Sequence, residues 1–87
     1  MDELSQSLEK LLFFLKQSQS PIWSNADILE ITRAIEAELK RAKLGENVDA
    51  QLLKTLLAPT GSIQEISIDN GWGDDFLGIA NVIERYL

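Results

Sequence analysis

The side chains best equipped for chemistry in this chain are carboxylates, gathered toward its end. From Ala58 onward there are five acids (Glu65, Asp69, Asp74, Asp75 and Glu84) and one base, Arg85. Several of them flank an odd stretch, Asp69-Asn70-Gly71-Trp72-Gly73-Asp74-Asp75-Phe76, in which two glycines bracket a tryptophan. Carboxylates in this arrangement can hold a divalent cation, share a proton as an acid–base pair, or face a basic partner. A calcium loop needs oxygen ligands at its first, third, fifth and twelfth positions. Counted from Asp69, the third and fifth positions are Gly71 and Gly73 and the twelfth is Ala80, so that pattern fails. A looser divalent site built from Glu65, Asp69, Asp74 and Asp75 is the metal reading that remains, and no metal or other cofactor is expected.

Acid–base catalysis is not expected either. The closest carboxylate pairs are Glu36/Glu38 and Asp74/Asp75, and helical residues one or two apart point in different directions. The chain has no histidine and no cysteine. That removes the imidazole base, the Ser-His-Asp arrangement, the thiolate nucleophile and the commonest metal ligands together. Neither a Walker-type loop nor a dinucleotide glycine fingerprint occurs, and Pro59-Thr60-Gly61-Ser62 is too short to cradle phosphates. The expectation is a protein that is not an enzyme. Its candidate partner-binding residues are Glu65, Asp69, Trp72, Asp74 and Asp75, facing a basic or apolar protein surface. Trp72 has two orientations open to it. Turned inward, the expected case, it seals a joint between helices; turned outward, it is an anchor of the kind that dominates binding hot spots.

Length and composition bound the scaffold for these residues. Eighty-seven residues point to one domain, and 45% apolar content to a globular one. The net charge of −6 repels phosphate backbones and anionic membranes. Without cysteine a cytoplasmic location is the default. Met1-Asp2-Glu3 reverses the basic start of a signal peptide, and the longest apolar run, Leu11 to Leu15, is far too short to span a bilayer.

Hydrophobic spacing predicts an all-α fold, a compact bundle of four to five helices over approximately 2–18, 24–44, 48–57, 62–69 and 74–87. In the first helix Leu4, Leu8, Leu11, Leu12 and Leu15 share a face, and Phe13 and Phe14 widen it until the middle is apolar nearly all round. Such a helix lies centrally in a bundle or joins two copies, so a structural homo-oligomer is the alternative reading. Around Pro21 the pattern breaks. Ser24 with Asp27 has capping-box spacing, and Trp23 with Ile28 the spacing of a hydrophobic staple. Ile28, Ile31, Ile35, Leu39 and Ala42 stripe the second helix. Lys40, Arg41 and Lys43 complement the dipole at its end, and Gly45 terminates it.

Asn47 or Asp49 caps the third helix, which carries Val48, Leu52, Leu53, Leu56 and Leu57 inward and stops before Pro59. Residues 62–69 are ambiguous. Ile66 and Ile68 alternate as in a strand, but Ser62 and Glu65 have capping-box spacing, and a lone strand would leave its backbone unpaired. A short helix is therefore predicted. In the last helix, capped by Asp74 or Asp75, Phe76, Ile79, Ala80, Ile83 and Leu87 share one face.

Two binding classes fit poorly. A helix-turn-helix drawn over Gln51 to Ile68 would present Glu65 and no base to phosphates. Acyl and peptidyl carriers are similarly small, acidic and helical, but their attachment serine follows an aspartate. Here Ser24 follows Trp23 and Ser62 follows Gly61, so the likeness stops at composition. The leading expectation is a non-enzymatic regulatory, immunity or antitoxin-like adaptor that binds another protein; nucleic acid and membrane are not expected partners, and a homodimer is the structural rival.

Overall fold

The computed structural model describes residues 2–19, 27–59 and 61–87. Among these every regular element is a helix: α1 (Glu3–Gln17), α2 (Ile28–Lys43), α3 (Ala50–Leu56), α4 (Ser62–Asp69) and α5 (Gly73–Glu84). The all-α expectation is met, and residues 62–69 are helical. The helix sets Ile63 and Ile66 on one face, both with no exposed surface, and turns Ile68 out to 65% exposure. The apparent alternation at 66 and 68 is thus two residues on different faces of one short helix.

α1 is the central element. Asp2 caps it by accepting from the Ser5 backbone N–H at 2.7 Å, and that bond holds the Asp2 carboxyl below its ordinary value. Leu8, Leu11 and Leu15 are buried along its inner stripe, with Leu4, Leu12 and Phe14 packed at the edges. α1 packs against both α2 and α5, and α4 against α5. Ion pairs fix the first direction: Glu9 meets Lys43 at 2.9 Å and Lys16 meets Glu36 at 3.8 Å, so α2 runs antiparallel to α1. At the other flank Tyr86 donates to Glu3 at 2.9 Å while Trp72 reaches Ser18, which sets α5 antiparallel as well. The bond from Tyr86 to Glu3 raises the phenol above its ordinary value.

One apolar core collects Leu8, Leu11 and Leu15 with Ile31, Ile35 and Leu39 from α2, Leu53 and Leu57 from the α3 region, Ile63 and Ile66, and Trp72, Phe76, Ile79, Ala80 and Ile83. The stripes predicted for α2 and α5 supply their share, and Leu77 and Tyr86, outside the α5 stripe, are exposed.

The helix starts depart from expectation in three places. Ser24 and Trp23 lie outside the described residues, and with them the expected box and staple; Asp27 itself is the N-cap, accepting from the N–H groups of Leu29 and Glu30. α4 is capped by Gly61 and not through Ser62, which is already helical. The chain passes so close to α3 there that a Cβ at residue 61 would sit 3.0 Å from the Ala58 carbonyl and 3.1 Å from that of Leu56. α5 begins at Gly73 with Trp72 in the cap position and no side-chain cap bond. Asp74 and Asp75 instead occupy its first turn, where they act on the dipole.

Glu38 ties α2 to α3. It is 2% exposed, and its carboxylate accepts the Asp49 N–H at 2.6 Å while Arg41 approaches at 3.4 Å. Asp49 in turn caps α3 by accepting from Leu52. In a capping box the residue three past the cap returns a bond to the cap's own N–H. Leu52 has no such group, so Glu38 supplies the return from the preceding helix.

Candidate functional site

The bracketed tryptophan is a joint whose side chains reach back to α1. α4 closes at Asn70, and Gly71 follows with φ +82°, a conformation that residues with a Cβ adopt only under strain. The turn delivers Trp72 into the interior at 5% exposure. Its indole stacks on Phe14 (centroids 4.9 Å apart, 13° between planes) and meets Phe76 edge-on at 6.4 Å. The indole Nε1 donates to Ser18 Oγ at 2.8 Å, and that hydroxyl donates to the Phe14 carbonyl at 2.7 Å. Asn70 works beside it. Its Oδ1 accepts the Gln19 N–H at 3.0 Å and its Nδ2 donates to the Gln19 carbonyl at 2.8 Å and to that of Ile66 at 2.9 Å.

Of the two orientations open to Trp72, the structure has the inward one. This corrects its place among the exposed partner-facing residues: the indole is buried in an aromatic stack with a satisfied N–H, and it holds the turn between α4 and α5 against α1. Gly73 needs no positive φ, and the sharp turn belongs to Gly71.

The four carboxylates expected beside it do not form one cluster. Asp69 is exposed at the end of α4, and Glu65 is partly buried one turn earlier. Asp74 and Asp75 are exposed in the first turn of α5. Asp69, Asp74 and Asp75 make no ion pair among the described residues. No three acidic side chains among those residues are grouped so that they could hold a metal ion, so the looser divalent site is not assembled.

What Asp74 and Asp75 do share is a groove of about 880 Å³ between α1 and α5. Its α1 wall is Gln6, Glu9, Lys10, Phe13 and Phe14; its α5 wall is Asp74, Asp75, Gly78 and Ile79. Glu65 and Asp69 do not line it. The residues on the α1 side were not singled out from the sequence as a site. Their signal was the surplus of apolar residues in the middle of α1: Leu8, Leu11 and Leu15 already fill the core stripe, which leaves Phe13 58% exposed. A smaller recess of about 410 Å³ lies between α1 and α2, lined by Leu12, Lys16, Leu39, Lys40 and Lys43 among others. Two of its lysines are engaged by Glu36 and Glu9.

Charge sets the character of the larger groove. It holds three acids and one base, and Glu9 is partly taken by Lys43, so its free charges are Asp74 and Asp75 on α5 and Lys10 on α1, a net negative balance. Beneath them the surface is aromatic and aliphatic. Acidic and apolar lining together are complementary in charge and polarity to a cationic, amphipathic surface.

Fold and groove together define a small all-helical domain with an acidic, apolar-floored cleft. No protein-family model, curated protein or solved structure matches the chain.

Proposed function

We propose that this chain is a non-enzymatic interaction protein that engages a basic region of another protein through its acidic α4–α5 side. The observation that carries this reading is the groove between α1 and α5, which Asp74 and Asp75, unpaired among the described residues, line together with the exposed ring of Phe13. Asp69, also unpaired, extends the negative field beyond the groove, and the net charge of −6 adds long-range attraction for a cationic partner. A regulatory, immunity or antitoxin-like adaptor working in the cytoplasm is the concrete form: such a protein neutralises a basic partner by covering it. No helix among the described residues is long and apolar enough to cross a membrane.

The test is binding of purified basic proteins of differing folds to the immobilised chain, beside the variant carrying Asp69→Lys, Asp74→Lys and Asp75→Lys. All three sites are exposed, so no packing is lost, and circular dichroism checks that α5 tolerates lysines in its first turn. Retention by the parent chain and its loss in the variant supports the reading. Equal retention by both, or by neither, overturns it.

A further inference from the structure

From the shape and chemistry of the α1–α5 groove we infer that its occupant is a basic amphipathic helix of the partner, laid between the two helices with one bulky apolar side chain seated over Gly78. This rests on the protein-binding reading above and names the element that is bound.

Three observations carry it. First, the walls are two antiparallel helices. On α1 the lining residues Gln6, Lys10 and Phe13 recur over two turns along one side. A trough of this kind accepts a third helix in the helix-in-groove mode, in which anchors project at every third or fourth position. Second, the floor and rim differ in chemistry. Phe13, Phe14 and Ile79 supply apolar surface, and Asp74 and Asp75 lie on the α5 wall with no cation among the described residues paired to them, Lys10 on the α1 wall included. Lysine or arginine flanking an apolar stripe matches that division. A second copy of the chain matches it poorly as a whole, because both copies carry −6.

Third, Gly78 lies inside α5, exposed, on the groove wall. Glycine in a helix interior weakens the helix relative to alanine. No intramolecular contact explains it, since a Cβ there would meet nothing within 4 Å. Its φ is not in the left-handed region. The missing side chain leaves open space in the groove that Phe13 lines from the other wall, and a glycine in such a place lets another molecule approach the backbone closely.

The probe is a synthetic leucine–lysine peptide of roughly 14 residues, about four helical turns, with leucines at helical spacing. Two controls accompany it: the same composition rearranged to strict alternation, and a leucine–glutamate version of the helical pattern. Affinity is measured by calorimetry and the site by amide chemical-shift mapping. The expected result is binding of the helical cationic peptide alone, with shifts centred on Phe13, Asp74, Gly78 and Ile79. Gly78→Leu, which fills open space and changes no charge, weakens that binding roughly tenfold or more. Asp74→Lys with Asp75→Lys weakens it too.

Several results would overturn the inference. If charge reversal weakens binding but Gly78→Leu does not, the peptide is held by its charge and not in the groove. Equal binding of the alternating peptide refutes a helical occupant, and shifts centred on the α1–α2 recess refute the site. In each of these cases capture of basic proteins through Asp69, Asp74 and Asp75 still stands or falls by its own test. If the groove instead closes over a second copy, light scattering shows a dimer that Gly78→Leu disperses, and the partner helix is refuted.

Discussion

Ser18 carries two bonds at once, accepting from the Trp72 indole and donating to the Phe14 carbonyl one turn back. Removing its hydroxyl leaves a nearly buried N–H without a partner, which costs about 1–3 kcal/mol. Removing the indole instead, as in Trp72→Ala, forfeits the stack on Phe14 and opens a large void, at about 3–5 kcal/mol. The two sites act through one contact, so Ser18→Ala adds almost nothing in the Trp72→Ala background. Chemical denaturation of the two single variants and the double variant measures all three quantities. Additive losses would show that the hydroxyl works independently of the indole. Asp2 gives a second residue-scale expectation. Its bond with the Ser5 N–H lowers its folded pKa below the ordinary 3.8, so its stabilisation is present above that value. It is lost as pH falls through the lowered value. Amide exchange at Ser5 therefore accelerates at acid pH in the parent chain, whereas in Asp2→Ala it is fast, relative to intrinsic exchange, at every pH.

At the scale of elements, what a stripe of apolar residues specifies is a helix and its buried face, and this much was open to reading. Leu8, Leu11 and Leu15, Ile31, Ile35 and Leu39, and Phe76, Ile79 and Ile83 all lie in the core because their spacing leaves no other face for them. Gly45 also ends α2 as its type suggested, at φ +74°. The joints were harder to see, because their partners are distant. Asn70 pairs with Gln19 across 51 positions and Glu38 with Asp49 across 11, and no local pattern announces either. For the same reason the groove was only half legible: Asp74 and Asp75 stood out as acids, but their α1 neighbours follow only from α1 and α5 running antiparallel. The cap on α3 can be tested directly. Glu38→Gln keeps an oxygen that can accept the Asp49 N–H and loses less than about 1 kcal/mol, whereas Glu38→Ala strands that N–H and costs about 1–3 kcal/mol. Urea unfolding of both variants checks the order, and equal losses would mean that the charge, not the acceptor, matters there.

For the whole molecule the question is what the exposed apolar surface can support. A stable interface buries about 800 Å² on each partner, and a phenylalanine side chain offers only about 150–250 Å² when fully covered. The middle of α1 suggested a homo-oligomer because it is apolar nearly all round. In the fold, however, Leu8, Leu11 and Leu15 are inside and Leu12 and Phe14 pack at the core's edge, so Phe13 alone among them stays largely open. Leu29, Leu44, Ile68, Leu77 and Tyr86 are exposed elsewhere along the chain. Like-charged copies at −6 also repel one another at low salt. The purified chain is therefore expected to remain monomeric by light scattering at low and at raised ionic strength. The adjacent phenylalanines separate the two uses of α1. Phe14→Ser disrupts the stack on Trp72 and lowers stability by about 2–4 kcal/mol. Phe13→Ser, at a site already 58% exposed, changes stability by less than about 0.5–1 kcal/mol and leaves the mass in solution unchanged. A dimer that persists in salt and falls apart in Phe13→Ser would instead make α1 the contact between copies, and would take from the groove the surface on which partner binding depends.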